Sequence, residues 1–341
     1  MLKRAFDRVL LAHGAGGRLT RDLVAELFLP AFDNPALAAL GDAAVLPELP
    51  PGRPALTTDG FVVDPPEFPG GNVGSLSICG TVNDLAMVGA RPLWLTWALI
   101  LEEGAESGLV ERCAASAGRA AREAGVTVVA GDTKVVPRGK GDRLYAVSAG
   151  LGVIPPGRDV GDHRVAPGDV IVASGPLGDH GATIMACRHD LLGEALHSDC
   201  APLNRLVEEL FEAGVEVHAL HDPTRGGALT VCHEVAERTG LRLVLDEDRL
   251  PFRPSVLAVS EVLGLEPLGL ACEGRFLAWL PGGDLDRGLA ALRRLPAGAA
   301  ACAIGAVEAR AASQSGLVLR TRIGSLRPLD LLSGTDLPRI C

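Results

Sequence analysis

The apolar positions of this chain fall into strand-like and helix-like stretches that alternate along its first half. Residues 54–63, 93–101, 126–130 and 143–153 are runs rich in Val, Leu, Ile and Thr and predict strands. Between them, 75–89 and 107–124 predict helices, the second with Ser107 as N-cap and Gly125 as the terminating glycine. In the second half, 169–173, 241–245, 275–280 and 300–307 predict strands, and 180–187, 202–213 and 226–239 predict helices. The longest apolar run, 93–101, has about half the residues a bilayer crossing needs and reads as a buried strand.

Ile154-Pro155-Pro156-Gly157-Arg158 interrupts this pattern with two prolines and a glycine, the composition of a linker. It predicts domains at 1–155 and 156–330, and 341 residues suffice for two cores. The last stretch, Ser333 to Cys341, has the composition of a mobile tail, 331–341.

Composition narrows the class. Hydrophobic residues at 48% and charged residues at 22% mark a packed protein. The net charge of -10, without a basic run, argues against nucleic-acid binding. It leaves nucleotide phosphates reachable through a divalent cation. Charge in Met1 to Asp7 is unlike a signal peptide, so a cytoplasmic location is expected, with no membrane association. The cysteines at 79, 113, 187, 200, 232, 272, 302 and 341 include no C-x-x-C pair, which disfavours a zinc ribbon or dithiol site. Most read as small buried hydrophobes in a reducing compartment. Cys341 stands apart as the last residue.

Five segments set a carboxylate among small or turn-forming residues: Gly41-Asp42-Ala43, Thr57-Thr58-Asp59-Gly60, Asn83-Asp84-Leu85, Gly131-Asp132-Thr133-Lys134 and His221-Asp222-Pro223-Thr224-Arg225-Gly226-Gly227. Each Asp alone suits a turn or cap. Five together suit Mg²⁺, with Asp42, Asp84 and Asp222 preferred as ligands and Asp59 next. Asp59 and Asp132 are expected in loops at strand ends. Lys134 either neutralises a phosphate or is a plain loop lysine. Gly226-Gly227 opens a predicted helix, which is either an anion site or a simple turn. His13-Gly14-Ala15-Gly16-Gly17 reads as a flexible loop able to fold over a ligand. No Walker A sequence, dinucleotide fingerprint or H-E-x-x-H is present. Glu273, in Ala271-Cys272-Glu273-Gly274-Arg275, is a base if partly buried, or else a cap or a partner for Arg275. From Ser333 to Cys341 extended chain reaches roughly 30 Å, against a radius of gyration of about 20 Å for the whole, so the terminal thiol suits a swinging carrier.

Together these segments resemble the HypE family of hydrogenase maturation proteins, in the superfamily of aminoimidazole ribonucleotide synthetase and selenophosphate synthetase. The resemblance covers nearly the whole chain. It also takes in Phe68-Pro69-Gly70-Gly71, Cys79 to Ala86, Gly178-Asp179-His180-Gly181 and the terminal Pro338-Arg339-Ile340-Cys341. Gly60 and Pro223 stand where the family pattern has Ser and Ala. The resemblance implies an α/β (α+β), two-domain PurM-like fold whose N-terminal domains pair in a homodimer, with ATP at or near the interface. It implies ATP-dependent dehydration of a carbamoyl group on Cys341 to a thiocyanate. A HypF-type carbamoyltransferase would load the thiol, and a HypC/HypD-type scaffold would receive cyanide for the iron of [NiFe]-hydrogenase. Asp42, Asp59, Asp84 and Asp222 would hold Mg²⁺-ATP. Asn83, Asp132, Thr133, Lys134, Gly226 and Gly227 would line the nucleotide. Lys134 would also stabilise developing charge, Glu273 would take the proton, and Cys341 would carry the substrate.

Two other readings compete: another ATP-using synthetase or kinase of the superfamily, and a non-catalytic carrier using the tail thiol. The first has no use for Pro338 to Cys341, and the second leaves five aspartate segments unexplained.

Overall fold

A computed structural model describes residues 6–191, 196–331 and 340–341, leaving 332–339 of the expected tail outside the described residues. Its first sheet is built from β1 (Arg53–Phe61), β4 (Arg91–Glu102), β5 (Thr127–Val136) and β6 (Leu144–Ile154), in the order β1-β6-β4-β5. β1 and β4 flank β6 antiparallel. β4 and β5 are parallel, so the chain must cross over between them, and the helix Ser107–Ala124 does so. A hairpin of β2 (Glu67–Phe68) and β3 (Gly71–Asn72) leads into the helix Val73–Met87. Asn72 caps that helix, its Oδ1 accepting from the N–H groups of Gly74 (2.9 Å) and Ser75 (3.2 Å).

Thirteen of the fifteen residues of Val73–Met87 are buried, so this helix has no solvent face. Ile78 and Val82 join the core beneath the first sheet, whereas Ala86 and Met87 join a core shared with Leu206, Leu210 and Leu220 of the second half. A Cβ on Gly74 would overlap the carbonyl oxygen of Cys113, so glycine is what lets the two long helices approach.

The second sheet contains β7 (Asp169–Ala173), β8 (Ala219–His221), β9 (Arg242–Asp246), β10 (Leu277–Pro281), β11 (Cys302–Glu308), β12 (Leu317–Arg320) and β13 (Leu326–Pro328), in the order β13-β12-β9-β11-β7-β10-β8. All neighbours are antiparallel except β12 and β9. Pro155, Pro156 and Gly157 lie between the two sheets. Among the described residues no helix is long and apolar enough to cross a membrane.

The structure departs from the sequence reading in four places. β5 continues to Val136, placing Asp132, Thr133 and Lys134 inside a strand, and Asp59 likewise lies inside β1. Glu106, not Ser107, occupies the N-cap of the second long helix, and the Ser107 hydroxyl is buried without a partner. Helices at Arg18–Leu23, Pro254–Leu263 and Leu285–Leu292 were not expected. The loop His13 to Gly17 is not free either. Residues Leu11–Gly14 form a helical turn with His13 buried, and a Cβ on Gly14 would lie 2.6 Å from the backbone nitrogen of Val135.

Strand alternation gives the first sheet two unlike faces. Thr57, Asp59 and Phe61 point to the covered side. Leu56, 77% exposed, and Val147, 38% exposed, lie on the other side, which no described helix covers.

Candidate active site

The β1 edge of the first sheet and the loop after β8 enclose a cavity of about 330 Å³ lined by Asp59, Asp84, Asp222, Arg225, Glu273 and Cys341. Asp59 arrives on β1, Asp84 on the helix Val73–Met87, and Asp222 directly after β8, where Thr224 N–H bonds back to its carbonyl (2.9 Å). Pro223 offers no N–H, but its carbonyl accepts from Cys272 N–H (2.9 Å), pinning the Asp222 loop beside Glu273. A Cβ on Gly274 would overlap the carbonyl of Asp199, so Glu273 is held by a close backbone approach.

Burial dominates the electrostatics. Asp84 accepts from Thr57 Oγ1 at 2.8 Å, yet burial and the Asp59 charge leave its pKa above the usual carboxylate range. Burial, and then the neighbouring Asp84 charge, pushes Asp222 up to about 7. Glu273, 2% exposed, is held well above its ordinary value by burial first and then by Cys200 and Asp222. Asp222 Oδ2 and Glu273 Oε1 are enclosed and have no hydrogen-bond partner. Burial, with Glu273 and Asp59 adding to it, pushes the Cys341 thiol up to about 12 against the pull of Arg225. Arg225 also reaches Asp59 Oδ1 at 3.4 Å.

The remaining predicted residues stand elsewhere. Asp42, Asp132 and Thr133 line a second cavity of about 280 Å³, walled by Phe28, Phe32 and Trp97. Lys134 is exposed and bonds Asp132 at 2.8 Å, holding that carboxylate below its usual range. Register pairs Asp59 with Ser148, Ser148 with Trp97 and Trp97 with Gly131. The Asp59 and Asp132 strands are thus three steps apart, roughly 14 Å at about 4.8 Å per step. Lys134 is therefore not brought together with Glu273 and Cys341 within one chain. Asn83, expected at the nucleotide, is fully buried and spent on backbone. Its Nδ2 donates to the carbonyls of Ala201 and Glu273 (3.2 Å each), and its Oδ1 accepts from Leu203 N–H (2.8 Å). Gly226 and Gly227 do open the helix Gly227–Thr239, but outside the cavity lining. Gly227 is buried where a Cβ would overlap the carbonyl of Leu268.

Sequence reading missed Thr57 and Arg225. Thr57 stands two residues before Asp59, and strand alternation puts both on one face; Arg225 lies in the quoted His221 to Gly227 segment.

Residues 40–154 match the AIR synthase related protein N-terminal domain and 166–317 match its C-terminal domain. Carbamoyl dehydratase HypE of Rhodobacter capsulatus is 48% identical over 339 residues, covering 98% of each chain. The chain belongs to the HypE family. HypE of Escherichia coli K12 is 43% identical, over 98% of this chain and 100% of that one. A crystal structure of HypE in complex with ATP superposes with a TM-score of 0.93 at 45% identity, covering 97% of this chain and 99% of that chain. The HypE chain fold also recurs in a HypE–HypF complex, with a TM-score of 0.79 at 38% identity, 93% of this chain and 100% of that chain. The two family domains and these superpositions establish the PurM-like fold, which mixes helices with both sheets.

Proposed function

We propose that this HypE-family chain is an ATP-dependent carbamoyl dehydratase acting on its own Cys341. The observation that carries the reading is the terminal thiol lying in one cavity with Asp59, Asp84, Asp222 and the buried Glu273. In that position the thiol is a poor nucleophile, because only the thiolate attacks and its pKa stands near 12. The cavity therefore suits the step after loading, when sulfur already carries the carbamoyl group. Loading falls to a HypF-type carbamoyltransferase acting on Cys341 outside the cavity, in line with the HypE–HypF complex of a relative.

The chemistry needs the carbamoyl oxygen turned into a leaving group. Phosphoryl transfer from ATP to that oxygen releases ADP. Loss of phosphate takes the C–O electron pair, and removal of both N–H protons completes the C≡N bond. Glu273 is the proton acceptor: burial raises its proton affinity, and its Oε1 has no competing partner. The thiocyanate then passes cyanide to an iron scaffold of HypC/HypD type.

No trio of His, Cys, Asp or Glu among the described residues forms a metal site. Mg²⁺ does not need one, since it keeps waters and phosphate oxygens beside one or two carboxylates. The mutual repulsion of Asp84 and Asp222 and the orphaned Asp222 Oδ2 fit such an ion, with Asp59 adjacent. Bound there, the ion would neutralise phosphate charge.

We also infer a homodimer in which the open sheet faces pair. Leu56 and Val147 on that face support it, as do Asp132 and Lys134, which alternation puts on the same side as Ala98 and Val147. Pairing would let Asp132 and Lys134 of one chain serve the Cys341 cavity of the other. The 1–155 and 156–330 domains are the units of this arrangement. Eight free thiols suit the reducing cytoplasm.

Intact-protein mass spectrometry tests the reading. After incubation with a HypF-type carbamoyltransferase and its substrates, Cys341 should gain a carbamoyl adduct, which should lose one water only on addition of Mg²⁺-ATP. An adduct that never dehydrates reassigns the function.

A further inference from the structure

The segments Gly178-Asp179-His180-Gly181 and Phe68-Pro69-Gly70-Gly71 take no part in the chemistry above, yet they meet at the end of the chain. His180 is wholly buried, with Nε2 2.9 Å from the carbonyl oxygen of Ile340 and Nδ1 2.8 Å from Ser198 Oγ. A carbonyl only accepts, so Nε2 carries the proton. Nδ1 must then accept, and the Ser198 hydroxyl donates to it. Ser198 Oγ in turn accepts from Cys200 N–H at 3.1 Å. Phe68 meets the imidazole edge-on at 5.2 Å. Ser198 N–H donates to the Pro69 carbonyl at 2.8 Å, and a Cβ on Gly70, at φ +95, would lie 2.6 Å from the Ser198 carbonyl oxygen. The ring is thus fixed in position and in tautomer, and burial holds it neutral, with a pKa of about 4.

We propose that His180 is a positioning residue, a latch that grips the Ile340 carbonyl and holds Cys341 in the cavity beside Glu273. Two devices act on the same residue. The Ile340 side chain, 7% exposed, packs into the core beneath the first sheet, which supplies affinity without direction. The His180 Nε2–H bond supplies direction and sets where the next residue's sulfur points. Removing the donor leaves a buried carbonyl unpaired, which shifts the docked fraction by roughly ten-fold. This inference rests on the dehydratase reading for its catalytic consequence but not for the docking itself.

The experiment compares full-length wild type, His180→Ala and His180→Gln, the Gln amide nitrogen standing near the place of imidazole Nε2. Two readouts are taken. The first is the rate at which iodoacetamide alkylates Cys341, followed by peptide mass spectrometry, without nucleotide or partner. The second is the single-turnover rate of ATP-dependent water loss from the carbamoyl adduct. The latch predicts that His180→Ala alkylates about ten-fold faster and dehydrates about ten-fold more slowly, with carbamoyl loading no slower than in wild type and the KM for ATP unchanged. It predicts that His180→Gln recovers most of both. Wild-type alkylation in His180→Ala overturns the proposal, as does a Gln variant no better than Ala. Were wild type itself unable to dehydrate, the dehydratase reading would fail while the alkylation arm still decided the latch.

Discussion

At the β1 edge of the first sheet, Asp84, Asp222 and Glu273 are enclosed and hold their protons more tightly than free carboxylates. At the β5 edge, Asp132 is exposed, paired with Lys134 and more acidic than usual. Carboxylates at the two edges of one sheet are thus prepared for opposite tasks. Enclosed carboxylates accept protons or await a cation, whereas an exposed ion pair can open to receive an anion. What separates them is which side of the sheet is covered, not the local sequence.

The largest effect should come from breaking the enclosed side. Glu273→Gln should slow ATP-dependent dehydration by roughly 10²–10⁴-fold and leave carbamoyl loading intact, read by the mass of the Cys341 adduct. Next, Lys134→Ala should cost about 10²-fold in the same assay, through lost stabilisation of developing charge. Mixing the two variants sharpens the comparison. If the edges meet across a dimer, random exchange of subunits restores about a quarter of wild-type activity. If both edges serve the same chain's site, mixing restores none.

Asn83→Ala should lower stability by about 1–3 kcal/mol by unpairing the Ala201 carbonyl and the buried Leu203 N–H, without changing the KM for ATP. A raised KM with unchanged melting would return Asn83 to the nucleotide site. The smallest effect concerns acid. His180 has a folded pKa near 4, below its unfolded value of 6.5, so the unfolded chain binds more protons between these pH values. Its contribution is complete above about pH 6.5 and is lost as pH falls toward 4. Tm measured from pH 7 to 5 should fall less steeply in His180→Gln than in wild type.

Much of the fold was legible because its strands are written as apolar runs. β1, β4, β6 and β7 lie within two or three residues of where composition puts them. The short strands β8, β12 and β13 were not legible, because three or four residues carry too little pattern. For the site, Asp59, Asp84, Asp222, Glu273 and Cys341 were all nameable from the sequence and do meet. That Asp42, Asp132 and Lys134 stand apart from them depends on strand order, which no local pattern encodes. Asn83 shows the other blind spot: a polar residue beside a site aspartate can point the opposite way on a helix and serve packing.

The helix Val73–Met87 has a consequence for dissection of the molecule. Two family domains meet in this chain, which invites expressing each as a separate fragment. A cut between Ile154 and Asp169 would strip Ala86 and Met87 of Leu206, Leu210 and Leu220, and would leave Asn83 facing water. The first fragment would then carry an adhesive, greasy ridge where a solubilising surface is needed, and it should precipitate or associate when produced alone. The two halves match two family domains but share one core.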